Sequence, residues 1–295
     1  MANKCSVLIN SCDKYEDAWY PFFSLLEIMW KDCSYPVFLN TETKNFSHLE
    51  IDINVLHPNS LYTKRNKEIS WSERLRQALN KIDSEYVITL LEDFFLMSPV
   101  RDDMIEKCID IMDNNENIGV IDFYHEPHIA TVIYDEFSEV DKNFDYCINA
   151  MACLWRKSFL LEILRDEDPW KFEFFGTYRW RKTDYKILTH REEFKPVFDY
   201  KIKPKYGYGI YQGKWLEKNQ ELFEKYNIEV DFSKREILKF EDLPPLEAEL
   251  KEEDWLKNDF KKAFKDPKLF FHYVKCAKNI AKDKLIRFYA QHFNL

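Results

Sequence analysis

The sequence predicts an α/β fold, a Rossmann-like α/β/α sandwich with a helical C-terminal appendage. Short apolar runs suited to strands alternate with longer segments suited to helices, as successive βαβ units require. Two of the apolar runs, residues 5–9 and 87–91, end abruptly in polar side chains. The 295 residues are 45% hydrophobic and 17% aromatic, which is enough to bury one large core.

The predicted elements follow one another along the chain. The strands are expected at residues 5–9, 36–40, 51–56, 87–91 and 118–124, and the helices at 17–31, 71–82 and 101–114. Residues 152–164 are expected to be a helix, or a strand followed by a helix. Residues 125–150 are expected to be irregular, 168–185 a loop, and 196–215 a set of short strands. The Pro-Pro-marked segment 241–253 is expected to separate a catalytic domain, residues 1–240, from a helical extension, residues 241–295.

The run at residues 87–91 is suited to a central parallel strand that is covered on both faces. In open α/β sheets, ligands bind in the crevice beyond the carboxyl ends of the strands. Glu92 and Asp93 follow this strand directly, so they are expected where a metal or a substrate binds. Alternatively, these two carboxylates open a solvated loop or cap a following helix.

Composition argues against several classes of protein. The chain has 5 glycines and neither a G-x-G-x-x-G nor a Walker motif, which disfavours dehydrogenases, P-loop kinases and sugar nucleotidyltransferases. Its 7 cysteines contain no C-x-x-C pair, so neither a disulfide framework nor a zinc ribbon is expected. With no signal-peptide pattern and no apolar stretch long enough to span a bilayer, we expect a cytoplasmic enzyme.

Several segments together resemble a known enzyme family. They are SCDKYEDAW at 11–19, PVFLNTE at 36–42, WSERLRQAL at 71–79, LLEDFF at 90–95 in the position of an Asp-x-Asp motif, and DPWKFEFFGTYRWR at 168–181. With these motifs, residues 4–235 resemble a GT-A glycosyltransferase of the bacterial type that builds capsular or other surface polysaccharides. The resemblance implies a hexosyltransferase that moves a sugar from a nucleotide-sugar donor, expected to be a UDP-sugar, to a hydroxyl of a growing glycan.

In such a transfer the departing diphosphate must be neutralised by a divalent metal, by cationic side chains or by helix dipoles. Asp93 is the first candidate ligand for Mn²⁺ or Mg²⁺, and Glu92 is the second. Successive residues of an extended strand point to opposite faces. Only one of the two would therefore contact the metal unless the chain turns between them.

The resemblance places the nucleoside at the end of the first strand, against Asn10, Ser11 and Asp13, although these residues are equally suited to capping the following helix. Trp71 is expected either to stack on the nucleoside or to fill the core.

The donor phosphates are expected to contact Arg74 or Arg76. Lys214 lies in the glycine-rich segment 207–215, which is expected to be a flexible loop that closes over the phosphates, or else a simple turn.

Glu173 is the candidate general base for an inverting transfer. Its aromatic neighbours are expected to raise its pKa and to form a wall for stacking a sugar; they are Trp170, Phe172, Phe174 and Phe175. Alternatively Glu173 pairs with Arg179 or Arg181, in which case Asp184 is the substitute base. His125 and His128 do not match a helical metal motif, and acceptor contacts or a solvated loop are favoured there.

The C-terminal segment 261–295 is basic, with nine Lys or Arg residues against two Asp, whereas the whole chain has a net charge of -9. Its apolar residues recur at helical spacing, so the helix is expected either to pack on the catalytic domain or to lie on an anionic membrane, at the inner face of the plasma membrane. A lipid-linked glycan acceptor would suit the second arrangement. No nucleic-acid partner is expected, because the body of the chain is acidic. The alternative to an enzyme is a noncatalytic glycan-binding or polysaccharide-assembly scaffold on the same fold.

Overall fold

The computed structural model describes residues 3–62, 68–123, 129–144, 146–200 and 209–242. The chain divides into two compact units, Met1–Glu241 and Asp242–Leu295, and the fold described below is that of the first. The predicted C-terminal helices, the basic segment 261–295 and the histidines at 125 and 128 lie outside the described residues. In the described part, no helix is both long and apolar enough to cross a membrane.

Among the described residues, nine strands form one mixed sheet and three short strands form a second. The strands are β1 Cys5–Asn10, β2 Val37–Asn40, β3 Ile53–Leu56, β4 Tyr86–Leu90, β5 Ile118–Asp122, β6 Ile129–Tyr134, β7 Phe137–Val140, β8 Cys153–Arg156, β9 Lys186–His190, β10 Ile210–Tyr211, β11 Lys214–Leu216 and β12 Ile237–Leu238. The helices are α1 Glu16–Met29, α2 Trp71–Lys81, α3 Asp102–Asp113, α4 Lys157–Ile163, α5 Pro169–Trp180 and α6 Lys218–Lys225.

The main sheet has the order β3-β2-β1-β4-β8-β5-β9-β7-β6. The strands β3, β2, β1 and β4 are parallel, β8 is antiparallel to both β4 and β5, and β9 is parallel to β5. Hence β1 to β5 and β9 all end at the same edge of the sheet, which we call the carboxyl edge. The prediction that β4 is central is confirmed, but its surroundings are mixed rather than wholly parallel.

Helices cover both faces of the main sheet. On β1, Val7 and Ile9 belong to one buried cluster and Leu8 to the other, because successive side chains of a strand point to opposite faces. Residues of α1 and α3 complete the first cluster, and residues of α2, α4 and α5 complete the second. The predicted α/β sandwich is therefore confirmed.

Helix α5 corrects the prediction of a loop over residues 168–185. The side chain of Asp168 accepts the backbone N–H of Lys171 at 2.9 Å, and Pro169 occupies the first turn, where its missing N–H costs nothing. Most side chains of α5 are buried, so the sequence shows little helical periodicity.

One hairpin differs from expectation, because residues 125–150, expected to be irregular, include the antiparallel pair β6 and β7. The described part of the glycine-rich segment is the β10–β11 hairpin, which agrees with the expected short strands and simple turn rather than with a flexible loop. Its two central residues, Gln212 and Gly213, have φ of 48° and 82°, as a two-residue hairpin turn requires.

Candidate active site

The strand order reverses between β1 and β4. The chain runs outward from β1 through β2 to β3, and then returns to place β4 on the other side of β1. In open α/β folds, ligands bind at such a switch point, beyond the carboxyl ends of the two strands. Ile9 pairs with Leu90, so residues 10–13 and 91–93 leave the sheet side by side. The two polar segments singled out in the sequence are therefore neighbours.

Glu92 and Asp93 lie in a turn rather than on an extended strand. The backbone N–H of Phe94 donates to the carbonyl of Leu91 at 3.3 Å, which closes the turn through both acids. Glu92 is 6% exposed and Asp93 is half-buried. Burial, followed by repulsion from Asp93, raises the pKa of Glu92. Burial also raises the pKa of Asp93, against a smaller lowering by Arg235.

The cations around this acidic turn are paired with other acids. Arg74 forms an ion pair with Glu42 and donates to the carbonyl of Ser11 at 3.0 Å, and Arg235 pairs with Asp17. In the described part of the chain, neither Glu92 nor Asp93 forms a salt bridge, and no cluster of three metal-ligating side chains is found. The buried carboxylate of Glu92 and the half-buried one of Asp93 fit Mg²⁺ or Mn²⁺ if phosphate oxygens and water complete the coordination.

Asn10 leaves one hydrogen-bonding group free at the switch point. The Nδ2 of Asn40 donates to the Oδ1 of Asn10 at 2.7 Å, and the buried Nδ2 of Asn10 has no partner among the described residues. Since a buried donor without a partner is costly, this amide is suited to a ligand acceptor.

Ser11 and Asp13 are engaged with the protein. The Oγ of Ser11 accepts the Nε1 hydrogen of Trp19 at 2.6 Å and lies in hydrogen-bond reach of Glu92. The carboxylate of Asp13 accepts the backbone N–H groups of residues 42–44. Asp13 therefore fixes the loop after β2, and direct contact of Ser11 or Asp13 with a nucleoside stays a prediction.

A narrow cleft of about 10 Å³, enough for about one water molecule, opens beside Asn10. It is lined by Asn10, Trp71, Leu75, Thr89, Leu90, Leu91, Asn149, Ala150, Trp155, Leu160 and Phe172. Trp71 packs against Phe172 with ring centroids 5.6 Å apart and is only partly buried, so it both contacts the core and borders the cleft.

The three side chains predicted to contact the donor phosphates, Arg74, Arg76 and Lys214, have different partners in the structure. Arg76 donates to the carbonyls of Leu161 and Leu164 at the C-terminal end of α4. This position corrects the suggestion that Arg76 contacts the donor phosphates. Lys214 lies on β11 and pairs with Glu236 at 2.6 Å. Arg74 is thus the predicted cation whose charge acts on Glu92.

Glu173 lies on α5 and is hydrogen-bonded to Ala150, one of the residues that line this cleft. Its Oε1 accepts the backbone N–H of Ala150 at 2.9 Å. Burial raises the pKa of Glu173 to about 7, while the hydrogen bond from Ala150 opposes the rise. The alternative pairing with Arg179 is wrong, because Arg179 donates two hydrogen bonds to Glu167, at 2.9 and 2.6 Å.

Two further alternatives for this side of the site are corrected by position. Arg181 donates to the carbonyl of Phe144 at 2.5 Å and stacks over Tyr178 rather than pairing with Glu173. Asp184 is exposed in the turn that precedes β9, so it lies at the edge of the sheet opposite to Glu92 and Asp93. It cannot substitute for Glu173.

Sequence reasoning missed two buried polar residues at the carboxyl edge. Asp122, 2% exposed at the end of β5, accepts a hydrogen bond from Asn149 at 2.6 Å. The Oδ1 of Asn149 accepts the backbone N–H of Met151, so this pair fixes the segment that contains Ala150. The signal was available, since Asp122 ends an apolar run in the same way as Glu92 does.

Arg235 was also missed, and its sequence surroundings gave no signal. Its guanidinium donates to both carboxylate oxygens of Asp17 at 2.7 Å and stacks over Tyr15 at 4.5 Å. These contacts attach the small sheet to the start of α1, beside the acidic turn.

No family model and no curated protein matches this sequence. Solved structures resemble this chain at low TM-scores. S. aureus TarS is 12% identical with a TM-score of 0.42, over 65% of this chain and 36% of that chain. CMP:2-keto-3-deoxy-manno-octonic acid synthetase complexed with CTP is 12% identical with a TM-score of 0.39, over 64% and 90%. A cytidylyltransferase from Leptospira borgpetersenii is 12% identical with a TM-score of 0.41, over 68% and 82%.

The chain spans about a third of the TarS structure and 59% of the TarS 1–349 fragment. At these identities and TM-scores, the likeness assigns neither a family nor an activity to this chain.

Proposed function

We propose that this protein is a GT-A-like glycosyltransferase that moves a hexosyl group from a nucleotide-sugar donor, a UDP-sugar, to a hydroxyl of a growing surface glycan. The observation that supports it most is that an acidic turn suited to a metal and a carboxylate suited to a general base lie on neighbouring parts of one crevice. An acidic turn, Glu92 and Asp93, lies at the switch point and forms no salt bridge with the described part of the chain. A carboxylate with a raised pKa, Glu173, is hydrogen-bonded to Ala150, which lines the adjoining cleft.

The donor half of the site would be the end of β1 and the acidic turn. The free amide of Asn10 would donate to the nucleotide, and Trp71 would offer an aromatic face. Asp93, which is less buried than Glu92, would be the first ligand of Mn²⁺ or Mg²⁺. The metal, when bound, would neutralise the charge of the departing diphosphate.

The acceptor half would be α5. In its ionised form Glu173 would take the proton of the acceptor hydroxyl as that oxygen forms a bond to the anomeric carbon. The bond from the anomeric carbon to the diphosphate oxygen breaks, and its electron pair leaves with the diphosphate. A single displacement of this kind inverts the anomeric configuration. A pKa of about 7 suits a general base, which works best near the operating pH.

The segment after β1 favours sugar transfer over nucleotidyl transfer. Residues 11–15 contain no glycine, so the backbone lacks the Gly-rich phosphate loop expected of a sugar nucleotidyltransferase. In the same proposal the basic segment 261–295 would hold the enzyme at the inner face of the plasma membrane, near a lipid-linked glycan acceptor.

The test is nucleotide-sugar binding and hydrolysis across UDP-, GDP-, dTDP- and CMP-sugars, with manganese, with magnesium and with a chelator. A ligand that binds only the folded state raises the melting temperature. We expect stabilisation by one nucleotide class that is lost with the chelator and in Asp93→Asn. Asp184→Asn, at the opposite edge of the sheet, is the matched control and should respond as the wild type does.

A response in Asp93→Asn equal to that of wild type would remove Asp93 from the donor site. Failure of every nucleotide, with or without metal, would favour the noncatalytic glycan-binding scaffold.

A further inference from the structure

Helix α5 presents one stripe of residues toward the segment 146–150. Trp170, Glu173 and Thr177 recur at spacings of three and four residues and so share a helix face. The hydroxyl of Thr177 accepts the backbone N–H groups of Cys147 and Ile148 at 2.9 and 3.1 Å. One turn further toward the N-terminus, Glu173 accepts the N–H of Ala150 at 2.9 Å. The contacts therefore progress along the stripe toward Trp170.

Trp170 continues this stripe with its ring uncovered. Its relative exposure is 70%, whereas Phe172, Phe174 and Phe175 on the same helix are at most 2% exposed. The aromatic wall expected from the sequence is therefore reduced to one accessible indole. A single exposed aromatic ring is ordinary on a protein surface. What distinguishes Trp170 is its position on the same helix face as Glu173, one turn away.

We propose that Trp170 is the platform of an acceptor subsite, on which a pyranose ring of the glycan stacks one turn of helix away from Glu173. This inference rests on the proposed function. A pyranose ring has an apolar face edged by hydroxyl groups, so it needs a flat ring together with hydrogen-bonding neighbours.

The surroundings of Trp170 suit a saccharide better than a protein partner. Asp168 and Lys171 are close to Trp170 in sequence, at the start of α5, and their ion pair of 2.5 Å is partly exposed. They offer an acceptor and a donor for sugar hydroxyls. A protein partner needs about 800 Å² of contact on each side with an apolar centre, and a single ring between charged residues does not supply it.

The test compares Trp170→Ala, Trp170→Phe and Tyr20→Ala with the wild type. Tyr20 is 49% exposed on α1, which makes it a matched exposed aromatic away from α5. Binding of neutral saccharides is measured on a glycan array, and the affinity for the best responding disaccharide is measured by fluorescence titration. We expect Trp170→Ala to bind the disaccharide roughly 3- to 10-fold more weakly. Trp170→Phe should keep part of the affinity, and Tyr20→Ala all of it.

A parallel measurement separates this proposal from the proposed function. Donor-induced stabilisation by the nucleotide-sugar panel should be the same in Trp170→Ala and the wild type, because the indole lies on the acceptor side. Loss of saccharide affinity with donor stabilisation intact supports the subsite. The subsite is overturned if Trp170→Ala binds the saccharide as tightly as the wild type does, or if the wild type binds no saccharide. Either result holds whether or not a donor binds. Saccharide binding that needs Trp170, without any response to nucleotides, would keep the subsite and overturn the transferase.

Discussion

Replacing Glu173 by glutamine tests its two properties, burial and base function, in one variant. The Oε1 of Glu173 accepts the N–H of Ala150, and a glutamine oxygen can accept the same hydrogen bond. The substitution removes the ionisation of the side chain, and its pKa of about 7 places that ionisation in the physiological range. A positioning role and a base role therefore give different results.

The effect on activity follows from the protonation state. A general base works only when it is ionised, so the wild-type transfer rate should rise with pH through a midpoint near 7. About one pH unit below that midpoint, roughly a tenth of the molecules are ionised, and the rate should be about a tenth of its plateau. Glu173→Gln should lose about 10² to 10⁴ of the transfer rate and keep the nucleotide-induced rise in melting temperature.

The effect on stability has the opposite sign at neutral pH. The folded-state pKa is raised above the unfolded value of 4.5, so the protonated carboxyl favours the folded state. This contribution is fully present below the unfolded pKa and is lost as the pH rises through about 7. The shift corresponds to at most about 3 kcal/mol. Glu173→Gln, which does not titrate, should therefore gain about 2–3 kcal/mol relative to the wild type between about pH 5 and pH 8.

Urea unfolding at the two pH values measures this gain, and the change between them cancels any constant cost of the unpaired amide hydrogens. The exposed Glu162 on α4 supplies the control Glu162→Gln, which should show no such gain. A wild-type rate profile with its acid limb near 4.5 would refute the reasoning, and so would equal pH dependence of stability in Glu173→Gln and wild type.

Two further predictions concern the attachment of the small sheet. Asp17→Asn should lower the free energy of unfolding by about 3 kcal/mol, because it leaves the largely buried guanidinium of Arg235 without its carboxylate. The control Glu16→Gln, which removes an exposed ion pair on the same helix, should lower it by less than about 1 kcal/mol. Equal losses of the two variants in urea titrations would contradict this assignment. Gly209→Ala should destabilise by about 1–3 kcal/mol, because a Cβ there would lie 2.1 Å from the ring of Phe95, and an unchanged melting temperature would show that the ring moves aside freely.

The fold could be predicted where hydrophobic pattern decides the element. The strands β1 to β5 and the helices α1 to α3 follow from runs of apolar residues at strand or helix spacing. Helix α5 could not be recognised in this way because it is buried on most sides, although Asp168 and Pro169 are a standard start signal that could have identified it. The antiparallel direction of β8 could not be predicted from its own residues, because it depends on the path of the chain between β5 and β8.

The site could be predicted in its local parts only. The acids at 92 and 93 were identifiable because they interrupt a buried run. The turn that brings both to the carboxyl edge depends on the bond between Phe94 and Leu91, and the exclusion of Asp184 depends on the direction of β9. Arg235 contacts Asp17 across 218 positions of sequence, and no window of sequence contains both.

The reversed direction of β8 gives the carboxyl edge two independent sources of loops. Segments that leave β1 and β4 supply one half of the crevice, and the segment that enters β8, residues 146–152, supplies the other. The length and composition of that entering segment can change without altering the register between β1 and β4. Replacement of residues 146–152 by another loop sequence should therefore alter that half of the crevice and leave the half formed by β1 and β4 unchanged.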